Sequence, residues 1–250
     1  MSTVFYLINL DDSTERLKSA TEQLSREDVD FIRISAFDGR GKSMSDFKDY
    51  DEAKAESYMG RGLRGGEMGC YYSHLECIRQ FLATAHDYAV VIEDDVFIPN
   101  KAMQTLKKMM SWLQGKNLKW DVINFGAQKN KIYSTLTEID THKLVKAHYF
   151  PMTTTGIVWT RSGAQRFLEY SQTIYAPVDN ALREWQCQEN LGVSIVPPLV
   201  STTGAESDID SGTIKARSKQ GRIFSYGLRK QWRLWRQKSL AIIHKIFKKT

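Results

Sequence analysis

Three adjacent carboxylates, Glu93, Asp94 and Asp95, interrupt a run that otherwise reads as a buried strand. Tyr88-Ala89-Val90-Val91-Ile92 precedes them and Val96-Phe97-Ile98 follows. Continuous β-branched runs of this kind belong to strands covered on both faces. An isolated buried carboxylate is too costly to keep unless something neutralises it. Strand alternation would send Glu93 and Asp95 to one side and Asp94 to the other. A hard divalent cation, held between these oxygens and a bound phosphate, accounts for all three. The alternative is that the strand ends at Ile92 and the acids sit in a solvated turn.

Other polar groups fall at the ends of candidate strands: Asn9, Asp38-Gly39, and Asn124 to Gly126. Ligands of open α/β sheets bind beyond the carboxyl ends of the strands, so this placement points to a nucleotide site. The segment Tyr58 to Gly66 joins four glycines to Arg61 and Arg64, just before a helix start. Guanidinium groups and a helix N-terminus favour phosphate, so it reads as a phosphate lid or as a mobile loop with solvated arginines. No GxxxxGK[ST] is present, and no GxGxxG follows the first strand. His74 lies one turn beyond Cys70, either as hydrogen-bonded structure or, paired with a carboxylate, as a functional group. Asp179 follows Pro177-Val178 at a helix start, as a first-turn acid or as a general base, with Glu184 a second candidate base on the same helix.

Alternating strands and helices must position these groups. Val4 to Leu10 reads as a buried strand, followed by a helix capped by Ser13 that turns Leu17, Ala20 and Leu24 inward. Phe31 to Ser35 reads as the next strand, giving a βαβ start and an α/β fold with a mostly parallel, Rossmann-like sheet. Residues 39 to 66 read as irregular. A helix from Glu67 carries Met68, Tyr71, Tyr72, Leu75, Ile78 and Leu82 inward, and another runs from Pro99-Asn100 to Gly115. Further strands are expected at Asp121 to Gly126, Leu144 to Tyr149, Thr155 to Thr160 and Val193 to Val196. Helices are expected from Ser162 to about Gln172 and, shorter, after Pro177.

Charge divides the chain into a body, residues 1–214, and a tail, residues 215–250. Every charged residue of the tail is Lys or Arg, so all 29 acids lie in the body while the whole chain is +6. From Leu228 the tail is amphipathic at 100° per residue. Leu228, Trp232, Trp235, Ile242, Ile243 and Ile246 share one arc, with Arg229, Lys230, Arg233 and Arg236 on the flank and opposite side. Tryptophan with a cationic flank suits a helix lying on anionic lipid. Packing on the body, on another subunit or on nucleic acid are the alternatives, and lipid is favoured over nucleic acid. The three cysteines, Cys70, Cys77 and Cys187, lack metal-ligand spacing and read as reduced packing residues of a cytosolic protein. No secretion signal is evident at the start, and no apolar run reaches 18 residues.

These pieces, in this order, resemble glycosyltransferase family 25, the lipooligosaccharide-biosynthesis galactosyltransferases and their collagen-modifying relatives. The resemblance is carried by Val4 to Leu10 with Ser13-Thr14-Glu15-Arg16, Ala36-Phe37-Asp38-Gly39, Gly66 to His74, Ile92-Glu93-Asp94-Asp95, Thr155 to Ala164 and Pro177-Val178-Asp179. It spans roughly residues 3 to 200. One block departs, reading Val158-Trp159-Thr160 where the family usually has tyrosine and serine, a change expected to touch acceptor packing. The resemblance implies a GT-A-type fold, a UDP-sugar donor and Mn²⁺ or Mg²⁺. It implies Asp95, then Glu93 and Asp94, as metal ligands. Asn9, Leu10 and Arg16 would lie near the uridine, and His74 near the diphosphate or sugar. Asp38, Gly39, Arg64 and Asn124 complete the expected donor site. It further implies an inverting transfer of galactose from UDP-galactose to a sugar hydroxyl of a lipid-linked oligosaccharide, with a β-1,4 linkage expected. Glucose or an N-acetylhexosamine is the alternative donor sugar, and a degenerate fold that binds membrane or nucleic acid is the non-enzyme alternative. The expected location is the cytoplasmic face of the bacterial inner membrane.

Overall fold

The computed structural model describes residues 2–203 and 224–247. The boundary placed between residues 214 and 215, and the tail cations Lys215, Arg217, Lys219, Arg222, Lys248 and Lys249, lie outside the described residues. The chain opens with β1 (Thr3–Asn9), α1 (Thr14–Arg26) and β2 (Ile32–Ser35), the βαβ unit expected. A 3₁₀ turn (Met44–Asp46) and α2 (Glu52–Met59) lead to α3 (Gly65–Leu82). Then come β3 (Tyr88–Glu93), β4 (Val96–Phe97), α4 (Ala102–Gly115), β5 (Val122–Asn124), β6 (Ser134–Ile139), β7 (His142–Lys146) and β8 (Gly156–Thr160). They are followed by α5 (Arg161–Tyr170), α6 (Val178–Glu189), β9 (Gly192–Val196), β10 (Ser201–Thr202) and α7 (Tyr226–Phe247).

Eight strands form one sheet in the order β2-β1-β3-β8-β5-β9-β7-β6, and β4 pairs with β10 in a separate ribbon. β1 pairs parallel with both β2 and β3, and β5 parallel with β9, while β8 and β7 run antiparallel to their neighbours. Because β1 connects to β2 on one side and abuts β3 on the other, a crevice opens between the carboxyl ends of β1 and β3. That is the switch point where doubly wound sheets take ligands.

Alternation along the central strands splits the core in two. Tyr6, Ile8, Ala89, Val91, Ile157 and Trp159 face α3, α5 and α6, where Tyr71, Leu75, Phe167 and Trp185 meet them. Leu7, Val90, Ile92, Ile123 and Val158 face α1 and α4, against Ala20, Leu24, Leu106 and Met110. Full burial of one such large apolar side chain stabilises by about 1.5–3 kcal/mol, so both layers hold the sheet that carries the site.

Three sequence expectations change. Residues 39 to 66 are not irregular throughout, because α2 lies within them, with Asp51 accepting a hydrogen bond from the Lys54 amide and Gly60 closing the helix at φ 78°. The helix after Pro177 is the longer of its pair, 12 residues against 10. Trp159 is not an acceptor residue, since it is 1% exposed and packs in the core against Phe167 and Trp185.

Candidate active site

β3 ends at Glu93, and Asp94-Asp95 form the turn into β4. Strand alternation therefore stops one residue into the acidic run, and the turn lets all three carboxylates line one cleft. That cleft has an enclosed volume of about 120 Å³ and is walled by Ile8 to Leu10 and Arg16, by Ala36 to Arg40, and by Gly66, Cys70 and Ser73 of α3. Asn9, Leu10, Arg16, Asp38, Gly39, Glu93, Asp94 and Asp95 thus converge, as the sequence suggested.

Close backbone contact builds the wall. A Cβ on Gly39 would lie 1.9 Å from the Gly65 carbonyl oxygen, and one on Gly69 would lie 2.4 Å from that of Phe37. Only glycines let the loop after β2 settle on the first turns of α3. The glycines between Tyr58 and Gly66 are packing elements here: Gly60 abuts Tyr226 and Gly62 abuts Tyr50. Arg61 is locked to both Glu67 oxygens at 2.8 and 2.6 Å, so it is not a free phosphate ligand of a lid. Arg64 sits at the α3 N-terminus, where its amide donates to Glu67 Oε2 at 2.9 Å, and it does not line the cleft.

Each acid has a different environment. Glu93 Oε1 accepts from Thr154 Oγ1 at 2.6 Å and meets His74 Nε2 at 2.9 Å, with Cys70 Sγ 3.9 Å away. Burial pushes Glu93 upward, but hydrogen bonding to His74, together with its charge, and the Thr154 and Cys70 bonds bring the carboxyl below its usual value. His74 is 1% exposed and lies beneath the cleft floor, so it braces Glu93 and does not face a ligand. Asp94 Oδ2 accepts from Asn9 Nδ2 at 2.6 Å, and Arg16 Nη1 lies 3.8 Å from Oδ1. Asn9 is in turn gripped by Arg33 Nε at 3.1 Å, which makes Asn9 a support for Asp94. Asp38 is bound by Arg40 through Nε at 2.9 Å and Nη2 at 2.8 Å, which holds its carboxyl down at about 2.

Asp95 is the acid left unanswered. Its Oδ1 is buried without a hydrogen-bond partner. Burial, then repulsion from Glu93 and Asp94, push its carboxyl up to about 6. An orphaned carboxylate oxygen beside two further acids offers the kind of oxygen ligand that Mn²⁺ or Mg²⁺ takes. Among the described residues, the set whose ligating atoms all lie within 4.8 Å of one another is Cys70, His74 and Glu93. That softer set shares Glu93 Oε1, which already holds the His74 and Thr154 bonds.

The candidate bases part company. Asp179, in the first turn of α6, receives the Asn180 amide and side chain on Oδ1 at 2.6 and 2.9 Å. Burial raises its carboxyl, and its charge is felt at Cys70 on the cleft wall. Glu184 is 2% exposed and binds Tyr58, Gln188, Gln237 and Arg236, so its oxygens are committed to joining helices. Asn124 is likewise committed: its amide donates to the Thr153 carbonyl at 2.8 Å and its oxygen receives the Gly126 and Ala127 amides. It is fully buried and shapes the turn after β5 instead of facing a donor.

Sequence reasoning missed two contributors. Thr154 reaches Glu93 from a loop 61 residues away, with no local signal. Cys70 was read as packing, although its spacing to His74 already placed both on one helix face.

A mostly parallel sheet flanked by helices, with acids at the switch point, defines a Rossmann-like α/β protein whose ligand cleft lies at the carboxyl ends of β1 and β3. The chain belongs to glycosyltransferase family 25 (LPS biosynthesis protein), whose profile matches residues 2–182. Procollagen galactosyltransferase 1 of Danio rerio is 27% identical over 168 residues, 65% of this chain and 28% of that protein. A Rattus norvegicus relative named "Probable inactive glycosyltransferase 25 family member 3" is 27% identical over 128 residues, 50% of this chain and 22% of its own length. The chain thus spans less than a third of these relatives. Among solved structures, S. aureus TarS 1-349 in complex with UDP-GlcNAc aligns with 11% identity and a TM-score of 0.47, covering 86% of this chain and 62% of that one.

Proposed function

We propose that the protein is an inverting, metal-dependent galactosyltransferase that moves galactose from UDP-galactose to a sugar hydroxyl of a lipooligosaccharide core, forming a β-1,4 linkage. The observation that carries this reading is the buried, unpartnered Asp95 Oδ1 among three carboxylates at the switch point. A galactosyltransferase among the relatives supports the donor sugar.

Asp95, Glu93 and Asp94 would hold the cation, which when bound neutralises charge on the departing diphosphate. The cleft, about 120 Å³ and open to solvent, would hold only part of a UDP-sugar, with the rest of the donor lying outside it. Gly66 presents the α3 N-terminus to the same space, adding partial positive charge. His74 and Thr154 fix Glu93 and lower its carboxyl below the usual value, and Asn9 fixes Asp94. The acceptor enters from a second cleft of about 330 Å³ lined by Tyr149, Met152, Thr153 and Arg183. Thr153 neighbours the Thr154 that binds Glu93, and Arg183 acts electrostatically on Asp179, which links this cleft to both acids. The acceptor oxygen attacks the anomeric carbon as the bond to UDP breaks, UDP keeps those electrons, and Asp179 takes the hydroxyl proton. A positioned base of this kind contributes about 10²- to 10⁴-fold.

The test is a panel of UDP-hexoses with Mn²⁺ and lipooligosaccharide acceptors, read by mass spectrometry. Transfer of galactose is the expected result. Transfer of only glucose or an N-acetylhexosamine corrects the donor, and no transfer of any sugar, with no UDP binding, overturns the enzymatic reading in favour of a binding protein.

A further inference from the structure

The tail helix α7 lies across α2 and α6, and it packs the wrong way round for an ordinary surface helix. The residues it buries are Arg233, Gln237, Ala241 and His244, three of them polar. At 100° per residue they fall on one face, opposite the apolar arc of Leu228, Trp232, Trp235, Ile242, Ile243 and Ile246. Surface helices bury the apolar stripe and expose the polar one. Here Trp232 and Trp235 are 71% and 67% exposed, and Leu228 is 79% exposed.

Specific bonds fix this orientation. Arg233 Nη1 donates to the Tyr58 carbonyl at 2.9 Å. Gln237 Nε2 donates to Glu184 Oε2 at 2.7 Å and to the Tyr58 hydroxyl at 2.9 Å, and Arg236 pairs with Glu184 Oε1. Rotating the helix to hide its tryptophans would take Arg236 and Gln237 away from Glu184, which is 2% exposed. The apolar arc is therefore presented outward by design of the buried face.

We propose that this outward face is a docking surface for an anionic lipid bilayer, with α7 lying in the membrane interface while its polar face holds the body. Charge selects lipid as the occupant. Arg229 flanks the arc on one side and Lys238 and Lys245 on the other, all exposed, and residues 215–250 contain no acid. Tryptophan and flanking cations match the headgroup boundary of an anionic leaflet. No described helix is long and apolar enough to cross a membrane, so the helix lies along the surface. The bonds to Glu184 tie the membrane-bound helix to α6, the element that also carries Asp179. The proposal rests on α7 alone and stands or falls separately from the sugar-transfer chemistry.

Flotation of the full-length protein with phosphatidylglycerol-containing and pure phosphatidylcholine vesicles tests it. The protein should float with the anionic vesicles, and at least tenfold less with the neutral ones. Trp232→Ser with Trp235→Ser, which touches only exposed side chains, should abolish flotation while leaving the melting temperature unchanged. Lys238→Glu with Lys245→Glu should remove the preference for anionic lipid. Equal flotation of the tryptophan variant overturns the proposal. So does a wild-type dimer that does not float and that the tryptophan variant splits, or retention by nucleic acid in place of vesicles.

Discussion

Glu93 and Glu184 are both glutamates held by several donors, yet their surroundings lead to opposite conclusions. Glu184 spends its oxygens on Tyr58, Gln188, Arg236 and Gln237, groups that belong to three stretches of the chain. Nothing is left over, and the result is a seam that joins α2, α6 and α7. Glu93 is braced by His74, Thr154 and Cys70, but it stands beside Asp94 and Asp95, and one Asp95 oxygen has no partner. A saturated carboxylate is architecture; a braced carboxylate next to an unsatisfied one is a site. Residue type alone does not separate them. The distinction is whether the surrounding hydrogen-bond capacity closes without a ligand.

Substitutions can break this contrast. The largest effect is expected for Asp95→Ala, which should lower galactosyl transfer by at least about a thousand-fold in Mn²⁺ with circular dichroism unchanged, since a metal ligand serves several kcal/mol of charge stabilisation. Asp179→Asn comes next: kcat should fall about 10²- to 10⁴-fold while UDP still binds, as measured by single-turnover kinetics and calorimetry. If kcat stays at the wild-type value, Asp179 is not the base. Glu184→Ala should act on stability instead, costing about 2 kcal/mol in urea unfolding because Arg236, Gln237 and Tyr58 lose their acceptor. Its folded fraction should keep kcat within tenfold; a catalytic loss as large as that of Asp179→Asn would make Glu184 part of the chemistry.

The smallest effect concerns pH. The Asp95 carboxyl is raised in the fold from 3.8 to about 6. As pH climbs between these values the unfolded chain gives up this proton first, so the metal-free fold loses stability over that window and keeps the deficit above it. Asp95→Asn should therefore raise metal-free stability by about 1 kcal/mol at pH 7, allowing for partial solvent screening, and by nothing measurable below pH 4. Denaturant curves without metal at both pH values check this; an equal gain at both would mean the effect is not electrostatic.

Much of the site was legible because its parts sit at strand ends. Asn9 closes β1 and Glu93 closes β3, and near-continuous apolar runs mark both strands in the sequence. The Asp95 turn was less legible, since strand alternation has no means of announcing where the ladder stops. α2 was missed because only Ala55 and Met59 are buried on it, giving no apolar period, although Asp51 and Gly60 are the start and stop signals of a short helix. Asn124 and Glu184 were misjudged for one reason: sequence shows that a polar residue exists, and only the fold shows that its bonds are already taken. The tail reversed the usual inference. Its apolar arc was plain, but that the body would grip the polar arc follows from Tyr58 and Glu184, which are distant in sequence.

The central claim is that the Glu93–Asp95 cluster holds a cation against a diphosphate. Calorimetric titration of UDP into the wild-type protein and Asp95→Ala, each with and without Mn²⁺, tests it most directly. The account predicts UDP binding that depends on Mn²⁺ in the wild type and loses that dependence in Asp95→Ala. Equal, Mn²⁺-dependent UDP binding by both proteins would contradict it.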